Sequence, residues 1–439
     1  MPSSPEFRSS SSTTGLEVRP FRALTYRRRD PGHLARVSSP AYDLVTPAGR
    51  DRLADADPHN VVRLILPRVD PGNRADEVPA LRSATLAAVT LHEWESEGVL
   101  DRDAEPALWL YELQPPGAEA ATRGWLGAVA LPSAGSAAVL PHEDTYPPAV
   151  EGRRALLAAT ATDLEPIVLA HDPEPVVAEL TEAALLAPPT LELTDADGVR
   201  HRLWRVTDDG VLGRLQEALF RTGAVIADGH HRFAAARANC LSQPTLSGSD
   251  AVLALVTPMG PGGLRVAAIH RVIPDFSLDD AVSAAAGGFR TAEIPVSPTD
   301  PVDVLSGVRR WLADPEETGF LLSDGRRLVR LTAPSADVLA AVPPEAPSAW
   351  RGLDVVLAHH GLLGRLWHRS DDPESVLVAH TDEVALRTAA DRRGVALLLR
   401  APSPVDVAAV ARAGARMPRK STLFVPKPRT GLVLRPLGD

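Results

Sequence analysis

The sequence has very little cysteine, few aromatic residues and no long apolar run, and these shortages exclude several classes of protein. The single cysteine, Cys240, cannot form an intramolecular disulfide or a zinc site built from cysteines. No segment approaches the ~18 consecutive apolar residues needed to span a bilayer, so we expect a cytoplasmic protein without a membrane partner. With 439 residues, of which 44% are hydrophobic, the chain has enough apolar material for two or three packed domains.

Lysine is nearly absent. Of the 46 basic residues, only Lys420 and Lys427 are lysines, and both lie in the stretch MPRKSTLFVPK. Such a strong arginine bias indicates that these two positions require a compact ammonium group, which a guanidinium cannot replace. The alternative is that the two lysines lie close together by chance, in a structural turn near two prolines. The net charge of −10 argues against a nucleic-acid-binding surface but leaves room for a small local anion site.

Periodicity and turn signals predict an α+β chain with mixed sheets and hairpins, without the regular alternation of βα units. We interpret residues 1–17 as a Ser-rich disordered leader, residues 18–275 as an N-terminal α+β domain and residues 276–439 as a smaller C-terminal α+β region. The end of the chain, residues 416–432, is expected to pack back on the functional site. At the local level, the sequence predicts hairpins over residues 106–132 and 190–208, a helix over 80–98, a helix at LDVVLAHHGLL (353–363) and a short buried strand over 59–67.

The stretch VIADGHHRFAAA, residues 225–236, is the strongest candidate for chemistry. The strand-like VIA runs into the helix-forming FAAARA, so Asp228–Arg232 lie at a strand-to-helix junction. A helix N-terminus offers N–H groups and a positive dipole end to an anion, and Arg232 adds a fork for phosphate oxygens. Two alternatives stay open: Asp228 caps the helix while the histidines pack in the core, or a histidine binds a metal. Adjacent histidines on a helix diverge, which disfavours a shared ion.

Six motifs along the chain resemble, in order, the landmarks of a prokaryotic family known as domain of unknown function 1015. They are RPFRAL, PAYD, NVVRLILP, LPHEDT, ADGHHRF and MPRKSTLFVPKPRTG, and the match extends from Arg19 to Leu437. Within residues 137–240, the order PHE, helix, PIVL strand and strand-DGHHR-helix resembles the ParB/sulfiredoxin-like fold, and most of all its free serine kinases. Residues 171–222 are an insertion relative to that compact pattern.

The resemblance to free serine kinases implies a kinase that uses ATP or ADP with Mg²⁺ and phosphorylates a hydroxyl of serine or a serine-like metabolite. Glu143 would be the general base, and Asp228 would hold the substrate, the attacking hydroxyl or the metal, for which Asp144 is an alternative ligand. The implied catalytic residues are Glu143, Asp228 and His230. The implied phosphate-binding residues are Gly229, His231, Arg232, Lys420, Ser421, Thr422 and Lys427. The implied substrate-binding residues are Tyr42, Asp43, His142, Thr145, His270 and Arg271.

Several structural alternatives stay open for these residues. Glu143 is also compatible with a solvated turn, His270 with a buried core histidine, and Tyr42 and Asp43 with a simple chain reversal. Two other functions also stay open: a nucleotide-binding or sensing protein without acceptor chemistry, and a phosphohydrolase that uses the same phosphate site. The expected partner is a small-molecule substrate; no nucleic-acid partner is expected, and a homodimer is left open.

Overall fold

The computed structural model describes residues 15–68, 79–133, 135–260, 262–314, 319–370, 372, 374–418 and 420–438. The chain divides into two compact units: the first reaches Leu264 and includes the C-terminal segment from Pro426, and the second spans Arg265–Val425. The division therefore falls before the predicted boundary at residue 275, and it splits residues 416–432 between the two units. The leader predicted over residues 1–17 lies mostly outside the described residues, but its end is ordered. Leu16 is buried, and its N–H donates to the Thr222 carbonyl at 3.0 Å.

The first unit is built on a large mixed sheet. The strands of this unit are β1 (Val18–Arg19), β2 (Leu24–Tyr26), β3 (Leu100–Arg102), β4 (Leu108–Gln114), β5 (Thr122–Ala130), β6 (Val139–Leu140), β7 (Thr162–Asp163), β8 (Ile167–His171), β9 (Leu191–Thr194), β10 (Arg200–Val206), β11 (Ala224–Asp228) and β12 (Ala251–Pro258), of which β2 and β3 pair with each other outside the main sheet. The main sheet has the order β6-β11-β8-β12-β5-β4-β10-β9, and β1 pairs with β5. The antiparallel pairs β4–β5 and β9–β10 confirm the two hairpins predicted from the sequence.

Helices cover both faces of this sheet. The helices of this unit are α1 (Pro31–Val37), α2 (Pro47–Ala56), α3 (Val62–Ile65), α4 (Pro79–Ser96), α5 (Pro147–Thr160), α6 (Pro175–Ala184), α7 (Asp209–Phe220) and α8 (His230–Ser242). In β12, Val252 and Val256 pack into one buried cluster, whereas Leu253 and Leu255 pack into the other. A strand that is buried on both faces has no polar side, which explains why AVLALV reads as a continuous apolar run.

The strand predicted over residues 59–67 is wrong, because Val62–Ile65 forms the short helix α3. Asn60 sets this conformation. Its side-chain Oδ1 accepts from the Val62 N–H at 2.9 Å, and its Nδ2 donates to the carbonyls of Arg36 and Ser38. A short apolar run does not distinguish a buried strand from a buried helical turn. Here the hydrogen bonds of the Asn60 side chain favour the helical turn.

The second unit is also α+β. Its strands are β13 (Arg265–Ala267), β14 (His270–Ile273), β15 (Arg290–Ile294), β16 (Phe320–Ser323), β17 (Leu328–Thr332), β18 (Leu377–Ala379), β19 (Val395–Leu398) and β20 (Leu423–Val425). Its helices are α9 (Leu278–Ala285), α10 (Pro301–Ala313), α11 (Ala336–Leu339), α12 (Ser348–Arg351), α13 (Asp354–Leu357), α14 (Asp382–Asp391) and α15 (Pro404–Arg412). The main sheet order is β15-β17-β16-β19-β14-β18, and β13 pairs with β20.

Two details complete the architecture. The helix predicted at LDVVLAHHGLL begins as α13 and continues as a π-helix over Ala358–Leu366. The last strand, β21 (Arg435–Pro436), belongs to the first unit and pairs with β7. The mixed sheets and hairpins confirm the α+β class. Among the described residues, no helix combines the length and apolar character that a membrane crossing requires.

Candidate functional site

The candidate site forms where β11 passes into α8. Asp228 is the last residue of β11, and a register irregularity between Ile226 and Asp228 distorts the pairing with β8 at this point. Gly229 follows at φ 94°, and α8 begins at His230, with its first helical bond from the Phe233 N–H to the Gly229 carbonyl. The junction predicted from VIADGHHRFAAA is therefore confirmed.

Gly229 is required both by its backbone conformation and by close packing. A Cβ added at this position would lie 2.7 Å from Cγ2 of Ile167, the first residue of β8. The positive φ is a conformation that residues with a side chain rarely adopt. Gly229 is also the N-cap of α8, and it has no side chain that could accept from the first-turn N–H groups. In α7, by contrast, the Asp208 side chain accepts from the Val211 N–H at 2.9 Å.

We expect Gly229→Ala to lower the free energy of unfolding by about 1–3 kcal/mol, since alanine would be strained at this φ and would press on Ile167. Urea denaturation measures the change. Gly152→Ala is the matched control, because Gly152 lies inside α5 and an added Cβ meets nothing within 4 Å. Alanine in a helix is favoured over glycine by roughly 0.5–1 kcal/mol, so the control should gain stability. Equal shifts in both variants would contradict the role given to Gly229.

The two histidines of the junction hold a distant loop. The backbone N–H of His142 donates to Nε2 of His230 at 3.3 Å, and the N–H of Tyr146 donates to Nε2 of His231 at 3.0 Å. The rings of His142 and His230, both buried, also meet edge to face at 4.6 Å between centroids. His230 therefore binds the start of the PHEDTY loop (residues 141–146) from a buried position, and His231 binds its end. Glu143, which is half-buried, lies between these two attachment points.

Asp228 is enclosed by two cations. Its Oδ2 lies 2.5 Å from the Arg232 guanidinium, and its Oδ1 lies 2.6 Å from Nζ of Lys427. Lys427 also reaches Oδ2 of Asp43 at 2.5 Å, and its side chain is only 8% exposed. Burial opposes ionisation of Asp228, but the charges of Arg232 and Lys427 outweigh it and lower the pKa of this carboxyl. Burial likewise opposes the charge on Lys427, yet Asp228 and Asp43 raise its pKa, so Asp228 and Lys427 both stay ionised at neutral pH.

Arg232 is a positioning group in this arrangement. Its second terminal nitrogen donates to the Pro166 carbonyl at 2.5 Å, and the guanidinium lies 5.7 Å from the centroid of the Tyr42 ring. The side chain is 11% exposed. It therefore joins Asp228 to the residue that precedes β8, and the fork that the sequence suggested for phosphate oxygens is used within the protein.

Tyr42 and Asp43 begin a short 3₁₀ turn beside this cluster. The Tyr42 N–H donates to Oε1 of Glu165 at 3.0 Å, and the Arg153 guanidinium lies 4.1 Å from the Tyr42 ring centroid. Glu165 also accepts from the Thr430 hydroxyl at 3.0 Å. Burial raises the pKa of the Tyr42 hydroxyl, so it stays protonated and can donate a hydrogen bond.

Four further residues around this cluster were not predicted from the sequence: Arg153, Glu165, Arg429 and Thr430. Arg429 fixes the segment that carries Lys427: its Nε donates to the Ser38 hydroxyl at 2.7 Å, and its N–H donates to the Tyr111 hydroxyl at 3.0 Å. Only Glu165 could have been found from the sequence. It lies directly before the apolar stretch PIVL, and a charged residue beside a buried strand needs a partner. The other three are isolated residues without a motif of their own.

Five predicted residues belong to the second unit, and their grouping with Asp228 stays a prediction. Lys420 is exposed, Ser421 is buried and donates to the Pro418 carbonyl at 2.6 Å, and Thr422 follows them. His270 lies on β14, where its Nδ1 accepts from the Leu399 N–H, and burial lowers its pKa to about 4. Arg271 is buried beside it. In the first unit, Thr145 and Asp144 are exposed in the PHEDTY loop.

Within the described ranges, the side chains do not form a resident metal site. Among the described residues, no group of three or more His, Cys, Asp or Glu side chains is arranged to hold an ion. Both oxygens of Asp228 serve Arg232 and Lys427, so Asp228 does not fit the predicted role of a magnesium ligand. A Mg²⁺ ion that arrives with nucleotide phosphates keeps several waters and needs few protein ligands, so this finding does not bear on nucleotide binding.

The fold and the site define an α+β protein with a charged cluster at a strand-to-helix junction. Residues 18–356 match the family described as "Protein of unknown function (DUF1015)", and the chain belongs to this family. A search of curated proteins gave no match.

Several solved structures have a low similarity to this chain. A free serine kinase in complex with AMP is 14% identical with a TM-score of 0.30, covering 67% of this chain and 89% of the other. SbnI with C-terminal truncation from Staphylococcus aureus is 12% identical with a TM-score of 0.34, covering 71% and 87%. A conserved hypothetical protein from Pyrococcus furiosus is 12% identical with a TM-score of 0.31, covering 66% and 87%. The ParB/sulfiredoxin-like core stays a prediction.

Proposed function

We propose that this protein is a nucleotide-dependent phosphotransferase that phosphorylates a hydroxyl group of a small molecule, either serine or a serine-like metabolite. The observation that carries the proposal is the pair of hydrogen bonds by which His230 and His231 hold the PHEDTY loop at the start of α8. This attachment brings the loop that contains Glu143 to a helix N-terminus that can bind phosphate. Phosphoryl transfer needs little more from a protein than a positioned carboxylate and groups that neutralise phosphate charge.

The phosphate site is proposed at the first turn of α8. Gly229 lets the backbone approach a ligand closely, and the N–H groups of the first turn point along the positive end of a 13-residue helix. Lys427 is the proposed point charge. An ammonium has three N–H donors; Asp43 and Asp228 receive two of them, and the third can serve a phosphate oxygen.

In the proposed reaction, Glu143 accepts the proton of the acceptor hydroxyl as the hydroxyl oxygen attacks the terminal phosphorus of ATP or ADP. The bond between that phosphorus and the bridging oxygen breaks, and the nucleotide leaves with one phosphate fewer. Asp228, which Arg232 and Lys427 keep ionised, is proposed to orient the acceptor, and the half-buried Tyr42, whose ring lies 5.7 Å from the Arg232 guanidinium, borders the same cluster. The motif order PHE, PIVL, DGHHR supports serine or a close analogue as the acceptor.

The proposal is tested by incubating the full chain with ATP or ADP, MgCl₂ and one acceptor at a time from L-serine, L-threonine, L-homoserine and glycerol. We expect a new phosphomonoester resonance in the phosphorus NMR spectrum with at least one acceptor, together with an equal amount of nucleotide that has lost one phosphate. Calorimetric titration of each nucleotide, with and without the acceptor, measures binding independently of turnover.

Three outcomes would overturn the proposal. Release of inorganic phosphate at the same rate with and without acceptors would identify a phosphohydrolase. Tight nucleotide binding without any turnover would identify a sensing protein. The absence of both binding and turnover would exclude the α8 N-terminus as a nucleotide site.

A further inference from the structure

A second pocket of the first unit lies under α6, away from the candidate site. It has a volume of about 330 Å³ and lies between α6 and the neighbouring parts of β5, β8 and β12. Its lining includes Trp125, His171, Val177, Ala178, Thr181 and Met259. Pockets of this size, apolar apart from a few polar groups, are typical of sites for small molecules. Helix α6 belongs to the insertion over residues 171–222.

His171 gives this pocket an unpartnered hydrogen-bond acceptor. It is the last residue of β8, and alternation along the strand puts its side chain on the same face as Ile167 and Leu169, the face that α6 covers. Its Nδ1 lies 2.7 Å from the Asp172 carbonyl, and because a carbonyl only accepts, Nδ1 carries the proton. Nε2 is then a bare acceptor. It has no hydrogen-bond partner within the described part of the chain, and because it is fully buried, neighbouring side chains must shift before a ligand in the pocket can reach it.

The charged groups around the pocket are already compensated within the protein. Arg123 pairs with Glu182 at 2.7 Å and with Glu112 at 2.9 Å. Glu174 caps the first turn of α6 with one oxygen and pairs with Arg221 through the other. The N-terminus of α6 is therefore not an anion site, and the pocket does not call for a charged ligand.

The other polar side chains of the pocket are also engaged. The Trp125 indole N–H donates to the Thr181 hydroxyl at 2.9 Å, and that hydroxyl donates to the Val177 carbonyl at 2.8 Å. Burial lowers the pKa of His171, so its ring is neutral at physiological pH and keeps the Nε2 acceptor. His171 is thus the group that selects the ligand.

We propose that this pocket binds a small, uncharged and largely apolar molecule whose single hydroxyl or N–H group donates to Nε2 of His171. The site is distinct from the junction at Asp228. Strand β8 has Ile167, which packs on Gly229, at one end and His171 at the other. At roughly 3.3 Å per residue, the two ends are about 13 Å apart. The inference does not depend on the proposed function.

Phenol and toluene are the probes that test the proposal, because they share a ring and only phenol carries a donor. Saturation-transfer NMR with the full chain should show phenol binding about tenfold more tightly than toluene. In His171→Phe, which keeps an aromatic ring but removes the acceptor, phenol should bind no more tightly than toluene. Equal preference for phenol in the wild-type protein and in His171→Phe would overturn the proposal, as would the absence of phenol binding to the wild type.

A second pair of variants keeps the test valid if His171→Phe fails to fold. Ala178→Trp adds a large side chain at a lining position and is expected to abolish phenol binding. Glu179→Trp is the matched control, because it puts the same side chain on the next residue of α6, where Glu179 is exposed and pairs with Arg214. Phenol should bind this control as it binds the wild type. Loss of binding in both variants, or in neither, would contradict the assigned pocket.

Discussion

Replacing Glu143 by glutamine is expected to lower the rate of phosphoryl transfer by about 10²–10⁴, the usual contribution of a general base. Glutamine has nearly the same shape but cannot take the proton of the acceptor hydroxyl. The loop should keep its position, because the backbone N–H groups of His142 and Tyr146 attach it to the start of α8. Nucleotide affinity measured by calorimetry is therefore expected to change little, while product formation measured by phosphorus NMR falls.

The matched control is Glu151→Gln. Glu151 is an exposed residue of α5 that pairs with Arg154, and its loss should leave the rate within a factor of two. A Glu143→Gln variant that retains the wild-type rate would contradict the assignment of Glu143 as the base. A variant that loses nucleotide binding together with turnover would show that Glu143 holds the ligand and does not act on the proton.

Replacing Lys427 by methionine is expected to lower the free energy of unfolding by about 3–5 kcal/mol, the cost of breaking a buried ion pair on one side. Lys427 is almost fully buried between Asp43 and Asp228, so its removal leaves Asp228 with Arg232 as its remaining ion-pair partner within the described residues. Urea denaturation measures the loss. The other lysine supplies the control: Lys420 is exposed, and Lys420→Met should change stability by less than about 0.5 kcal/mol.

Acid titration supplies an independent readout of the same variant. The pKa of Asp228 is lowered in the folded protein, so its stabilising effect is present above the unfolded pKa of about 3.9 and is lost as the pH falls through the lower folded value. In Lys427→Met one of the two cations is gone, so this carboxyl should contribute less to the loss of stability in acid. Equal acid sensitivity of the wild type and the variant would contradict the proposed pairing.

Lys427→Arg tests why lysine survives at this position in a chain that otherwise uses arginine. An ammonium is compact and reaches Asp43 and Asp228 at 2.5 and 2.6 Å from one nitrogen. A guanidinium is planar and longer, so it cannot reproduce both contacts in the same space. The substitution is therefore expected to restore only part of the stability lost in Lys427→Met. Full recovery would favour the chance explanation of the two lysines.

The sequence predicted the strand-to-helix junction well because its signals are local. An apolar strand, a glycine and an alanine-rich helix follow each other within a few residues, and Gly229 adopts the positive φ that such a turn requires. The hairpins β4–β5 and β9–β10 were predictable for the same reason, since alternation and turn residues act between neighbours in the chain. The helical turn within residues 59–67 could not be predicted in this way. It depends on the buried Asn60 side chain, which donates to the carbonyls of Arg36 in α1 and of Ser38 directly after α1.

The charged cluster shows where prediction from sequence stops. Sequence proximity grouped Lys420 with Lys427, but only Lys427 belongs to the unit that contains Asp228, since the chain passes from one unit to the other between them. The sequence likewise presented Arg232 as a phosphate fork, whereas the fold directs it to Pro166 and Asp228. Contacts of this kind depend on which segments meet in space, and no local pattern records them.

By itself, the sequence determined the family, the α+β class and the local form of the DGHHR turn, because each of these follows from motif order or from short-range propensity. The tertiary structure decided what the turn is joined to. His142 and His230 are 88 residues apart in the chain, yet their contact places the Glu143 loop at the start of α8. It also decided that Asp228 is held by Lys427 from the C-terminal segment. The physical reason is that burial makes each of these polar groups depend on a partner, and the folded chain supplies that partner from a distant segment.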